Sequence, residues 1–247
     1  MGLKKRRSLV VGLLAVLLLS AFLCWFYFSK PSAFPTDDQL IQEINDTFPR
    51  IAVDIIQDWV FVDERHVFVP FITEKDDYGV SYWVWKQRKW RAESISGVGQ
   101  PYIWKINKKD PSTYHFVWNM HPDNQLDSVD FYLIRDRGYR GTGEVWNYYP
   151  RIQMEEKILL QEKSYGALQF PDEWVSFMTP FMRVESAKQP SIFFNDFYPE
   201  HHLLFGWVSY DRMGKSTYPE KGLNGGLYSN YGGNIEYVRF LHEGEIE

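Results

Sequence analysis

Cysteine is nearly absent from this chain: 247 residues contain one, Cys24, and it falls inside an apolar run. Whatever follows that run can form no disulfide, no thiolate metal site and no cysteine nucleophile, so its stability must come from packing. Complete catalytic signatures are also lacking. There is no Gly-x-Ser-x-Gly elbow and no His-Glu-x-x-His pair, which removes the usual support for serine hydrolases and zinc proteases. Gly214-Lys215-Ser216 imitates the end of a phosphate-binding loop, but Ser209 stands where that loop needs glycine. Pro219 follows before any helix can begin, so a hairpin turn over Asp211 to Gly214 is the simpler expectation.

Positive charge is scarce outside the N-terminus. Five of the 27 Lys and Arg residues lie at or before Lys30 and none of the 32 acids do, which leaves a formal charge of −10 on residues 31 to 247. Such a surface excludes nucleic acid as a partner and, taken as a whole, is repelled by anionic headgroups. No cofactor and no metal site are expected.

What the chain does have is a membrane address. Leu9 to Phe28 is an uncharged run of 20 residues preceded by Lys4, Lys5, Arg6 and Arg7. At ~1.5 Å per residue it spans ~30 Å, the thickness of a bilayer's hydrocarbon core. The basic flank predicts an N-terminus in the cytoplasm and a C-terminal part outside, with Trp25 and Tyr27 at the far interface. The expected organisation is a basic cytoplasmic tail over 1–7, a signal anchor over 8–29, a linker over 30–35 and one extracytoplasmic domain over 36–247. A cleavable signal peptide is the rival, but small-residue sites near Ala21 would leave Phe22, Leu23, Trp25 and Phe26 at the new terminus. Lipoprotein processing at Cys24 is disfavoured by Leu23 before it. A large domain without disulfides fits a bacterial envelope better than a eukaryotic secretory route. The Asn45-Asp46-Thr47 sequon would matter only in the latter.

Thr36 and Gln39 form a capping-box pattern ahead of Leu40, Ile41, Ile44 and Phe48 at helical spacing. A second helical segment is expected from Pro49, through Ile51, Ile55 and Trp59. Beyond it the sequence turns to short Val-, Ile- and aromatic-rich runs between turn clusters. These predict strands over 59–63, 66–73, 80–86, 100–107, 113–119, 128–134, 157–163, 203–210 and 234–241. The expected fold class is mainly β, an antiparallel sandwich, barrel or small propeller, with a few short helices. Asp172 to Met182 reads as a further helix or a covering loop. Tyr82 to Trp85 is apolar on both faces and predicts a central strand. Alternation puts Tyr102, Trp104 and Ile106 on one face, and Tyr114, Phe116 and Trp118 opposite His115 and Asn119; the two aromatic sets are expected to meet across one hairpin.

Candidate site residues fall into three groups. Asp196, Glu200, His201 and His202 combine acids and imidazoles within seven residues, the best cluster for metal binding or proton transfer, though no spacing puts two rings on one helical face. Tyr228 and Tyr231 stand in the glycine-rich stretch Gly222 to Gly233, and Trp146, Tyr148 and Tyr149 lie between Gly141 and Pro150. These aromatics are candidates for ligand contact, and Trp146, Tyr148 and Tyr149 are the group least explained by strand alternation. Paired acids at Glu155-Glu156 and Asp172-Glu173 read as solvated surface. Taken together, the residues predict a membrane-anchored binding or accessory protein of the cell envelope that touches lipid through Leu9 to Phe28 and engages an envelope protein or polymer. An envelope hydrolase or metal-dependent enzyme, with acid and histidine residues drawn from loops, is the alternative.

Overall fold

The computed structural model describes residues 3–142, 145–161, 163–187, 203–222, 227–229 and 234–247. Helix α1 (Leu3–Phe28) contains the apolar run, and Val10–Phe28 is long and apolar enough to cross a membrane, with none of it buried against the rest of the chain. Helix α2 (Asp37–Thr47) starts where the capping box predicts, Gln39 Oε1 accepting from the Thr36 N–H at 3.0 Å.

The rest is mainly β. In chain order the strands are β1 (Val53–Ile56), β2 (Val60–Asp63), β3 (His66–Thr73), β4 (Tyr78–Lys86), β5 (Lys89–Ser96), β6 (Tyr102–Lys105), β7 (Tyr114–Asn119) and β8 (Leu126–Arg135). They continue with β9 (Gly138–Thr142), β10 (Val145–Tyr149), β11 (Ile152–Leu159), β12 (Tyr165–Gln169), β13 (Leu203–Asp211), β14 (Leu227–Ser229), β15 (Ile235–Tyr237) and β16 (Arg239–Phe240). Helix α3 (Asp172–Ala187) lies between β12 and β13. A first sheet has the order β1-β3-β4-β5-β14 with β2 also on β3, a second β12-β7-β6-β15, and a third β11-β8-β13-β16; among the described residues β9 and β10 pair only with each other. Pairing is antiparallel except between β13 and β16.

Alternation along the strands stacks these sheets. Val67, Val69, Phe71, Trp83 and Trp85 face α2, where Leu40 and Ile44 cover them. The opposite face of the same strands, Phe68, Val80, Tyr82 and Val84, packs on Tyr102, Trp104 and Val117 of the second sheet. That sheet's other face, with Ile103, Tyr114, Phe116 and Trp118, meets Phe131, Leu133 and Trp207 of the third, and Phe170, Trp174 and Met178 close the cluster around α3. Because β4 is central and covered on both sides, Tyr82 to Trp85 is apolar throughout, as expected.

The register overturns one expectation. Trp104 pairs with His115 and Ile103 with Phe116, so Tyr102 and Trp104 share a face with Val117, while Tyr114, Phe116 and Trp118 point the other way. A one-residue difference in register exchanges the faces of a strand. The two aromatic sets therefore build two separate core layers. His115 and Asn119, expected on a polar face, are buried. The Asn119 Nδ2 donates to Gln57 Oε1 at 2.7 Å, to the Gly79 carbonyl at 2.8 Å and to the Phe71 carbonyl at 3.1 Å, joining the second sheet to the first.

The second helical segment is also corrected. Ala52 is left-handed at φ 51°, and the chain leaves it as strand β1. The Asn45 amide clasps the backbone N–H and C=O of Val53 at 2.7 and 3.0 Å, holding that residue extended for pairing with β3. The same bonds commit the sequon's asparagine to the fold. The strand expected at 157–163 lies earlier, at β11, and the one expected at 234–241 is interrupted at Val238 between β15 and β16. Strands β5, β9, β10, β12 and β14 were not expected. Asp172 to Met182 is the first part of α3, and the turn after Asp211 forms as expected, with Gly214 left-handed at φ 74°.

Candidate functional site

Strands β8 and β11 pair from Ser128 with Leu159 to Arg135 with Ile152. Beyond Asp136-Arg137 on one side and Pro150-Arg151 on the other, the same ribbon continues as β9 and β10, paired from Gly138 with Tyr149 to Thr142 with Val145. Pro150 supplies no N–H, so the ladder is interrupted at the junction. Five paired residues carry the ribbon about 17 Å further. On this arm Tyr139 and Tyr148 are cross-strand partners with ring centroids 5.0 Å apart, and they are 71% and 54% exposed. Two such rings side by side offer flat apolar faces with hydroxyl edges, a pairing that suits a protein or polymer contact.

The other candidates are placed unequally. Tyr148 belongs to the arm, as does Tyr149, which is half-buried. Trp146 pairs by backbone with Gly141. Tyr228 lies on β14, which adds to the edge of the first sheet beside Ile95. Asp196, Glu200, His201, His202 and Tyr231 lie outside the described residues. Among the described residues no group of three or more His, Cys, Asp or Glu could hold a metal. Tyr139 was not among the sequence candidates, and only the pairing of β9 with β10 brings it beside Tyr148.

The base of the arm carries an unusual acid. Asp130 of β8 is buried on the outer face of the third sheet, and desolvation pushes its carboxyl up to about 6, opposed by Lys157 at 3.8 Å and reinforced by Glu155. The phenol of the neighbouring Tyr132 is raised by burial and by its hydrogen bond with Tyr210. Glu155 and Lys157 reach Asp130 from β11 because β11 pairs Glu155 with Tyr132 and Lys157 with Asp130. This cluster holds a proton near pH 6, but Asp130 does not line any of three described surface concavities. One of these, of about 530 Å³, lies between His121, Gln125, Gln161 and Arg212. His121 there is fixed rather than poised: its Nδ1 accepts from the Asp123 N–H and its Nε2 meets Asp76 at 3.1 Å. His115 is held neutral by burial, its pKa lowered.

At the membrane end the domain is tied to the span. Arg65, in the turn between β2 and β3, donates to the carbonyls of Tyr27 at 3.2 Å and Ser29 at 2.8 Å. Trp90 Nε1 donates to the Ser32 carbonyl at 3.1 Å, and Phe34 packs edge-on against Trp90 and Trp83. The linker over 30–35 is thus laid along the first sheet.

Comparison with known proteins gave no matching family model, no matching curated protein and no matching solved structure.

Proposed function

We propose that this chain is a single-pass protein of a bacterial cell envelope, with its N-terminus in the cytoplasm and its β domain outside, acting as a binding or accessory module. The observation that carries the reading is the arm: an aromatic pair exposed at 71% and 54% on a ribbon that hydrogen-bonds to no other strand among the described residues. Exposed tyrosines on a projecting hairpin contribute little to a core and have contact area to offer a partner. The apolar helix and its basic flank support the location. The alternative, a hydrolase, would draw on Asp196, Glu200, His201 and His202, which lie outside the described residues.

The test is crosslinking of the full-length tagged chain in its native membranes, beside an unrelated single-span control and the Tyr139→Ser/Tyr148→Ser double variant. The expected result is an envelope protein or polymer recovered with the parent chain and lost from the variant. Recovery undiminished in the variant, or no specific partner at all, would remove the arm as the working surface.

A further inference from the structure

The turn between β4 and β5 is the most basic stretch outside the N-terminal tail. Lys86, Arg88, Lys89 and Arg91 are exposed and only Gln87 and the buried Trp90 stand between them. Left-handed backbone at Gln87 (φ 52°) and Arg88 (φ 62°) makes this a tight two-residue hairpin, which the right-handed twist of the flanking strands favours. Its position is unusual for a domain of formal charge −10. The Arg88 guanidinium lies 3.8 Å over the ring of Trp25, which together with Tyr27 occupies the last turn of the span, where aromatic side chains sit at headgroup depth. In a bilayer crossed by α1 the hairpin would sit at the level of the lipid phosphates.

Between this hairpin and the end of α1 is a cavity of about 300 Å³. Tyr27 forms its membrane side, Val84 an apolar floor, and Arg65, Lys86 and Arg91 bring three cations from three different elements. Glu93, extra residue of a bulge where the β4–β5 register shifts, contributes the one carboxylate. It is bridged by Lys86 at 3.4 Å and by Asn234 at 3.3 Å. Of the nearby acids, Asp63 is engaged with His66 at 2.8 Å, while the Glu43 carboxylate accepts from the Ala92 N–H and also attracts Arg91. The cavity lining keeps a formal charge of +2 beside an apolar floor.

We propose that this cavity is a site for the headgroup of an anionic phospholipid from the membrane that holds α1, its phosphate lying between Arg65 and Arg91 and its acyl chains returning to the bilayer beside Tyr27. The chemistry matches on both sides: guanidinium forks for phosphate oxygens and an apolar wall for the glycerol backbone. The occupant is a lipid because the cavity opens at the end of the span. The overall negative charge, which predicts repulsion from such headgroups, does not govern here, since charges beyond a Debye length of ~8 Å are screened and these cations are in contact. The consequence is orientation. The first sheet is drawn down to the membrane, and the acidic remainder is turned away from it.

This inference rests on α1 being embedded in a bilayer, so the experiment reads the two separately. The full-length chain is reconstituted into vesicles of equimolar phosphatidylcholine and phosphatidylglycerol, and retention after carbonate washing reports the span. Mild detergent extraction followed by mass spectrometry of the co-purified lipid then reports the site. The expected result is phosphatidylglycerol enriched over phosphatidylcholine on the parent chain. Arg91→Gln and Arg88→Gln should each lower that enrichment by about fivefold, the effect of one basic residue at an anionic surface. Lys215→Gln, in the distant turn after β13, should leave it unchanged. Loss of the parent chain on washing would overturn the membrane reading and the site with it. A chain that stays but carries both lipids equally, or an enrichment that survives both arginine substitutions, would overturn the site alone. Displacement of the bound lipid by inorganic phosphate would reassign it to a free anion.

Discussion

Arg65 Nη2 donates to the carbonyl oxygen of Ser29 across 2.8 Å, joining a turn of the first sheet to the first residue after the membrane helix. With the second bond to Tyr27, this satisfies carbonyls at the C-terminus of α1 that have no partner within the helix. The domain is consequently clamped to its anchor rather than hung from it.

Removing that clamp has a defined effect. Arg65→Ala should weaken the junction by about 1–3 kcal/mol, the range for charge-assisted hydrogen bonds. Limited proteolysis of the vesicle-bound chain should then cut faster within residues 29–36, while the melting of the β domain barely changes. Unaltered cleavage would show that Trp90 and Phe34 alone hold the linker.

Asn119 is a test of the contact between the first two sheets. Its Nδ2 faces three acceptors, so Asn119→Asp, which keeps the shape and removes the donors, should cost at least about 3 kcal/mol at neutral pH from uncompensated buried charge. Asn119→Ala should cost less, about 1–3 kcal/mol. Denaturant midpoints of the full-length chain in micelles would give both, and an aspartate as benign as the alanine would contradict the assigned bonds.

Asp130 gives a pH dependence with a definite sign. Its carboxyl, ordinarily at 3.8, is raised to about 6 in the fold, so the native state holds a proton that the unfolded chain has lost. Its contribution is most favourable at pH below the ordinary value and is lost as pH rises through about 6. Asp130→Asn should therefore stabilise the domain at pH 7 by about 1 kcal/mol, allowing for water that reaches the carboxylate. At pH 4 it should change little. Equal effects at both values would mean that the substitution acts through packing and not through the proton.

Much of this architecture was legible in the residues, for physical reasons that differ from element to element. The span needs only length and apolarity. The start of α2 needs only Thr36 and Gln39 at capping distance. β3 was legible to its ends because Val67 to Phe71 is apolar and turn residues bound it on both sides. β1 was misread because Ile51, Ile55 and Ile56 satisfy helical spacing, and what makes them extended is a side chain eight residues earlier, Asn45. On the arm, Tyr148 was a sequence candidate, but its exposed partner Tyr139 could be found only through strand pairing.

The sequence alone determined the properties that depend on neighbours along the chain: an apolar helix long enough to cross a membrane, its basic flank, a β-rich domain without disulfides, and which residues are too apolar to leave in water. Tertiary structure decided everything that depends on register. Whether Trp104 meets Phe116 or His115 turns on a shift of one residue, and alternation within a single strand is silent about that shift because it fixes faces, not partners. The same holds for charge. Composition makes the domain acidic, but only folding brings Arg65, Lys86 and Arg91 together beside Tyr27, since electrostatic attraction is set by distance in space and not by the sum over the chain.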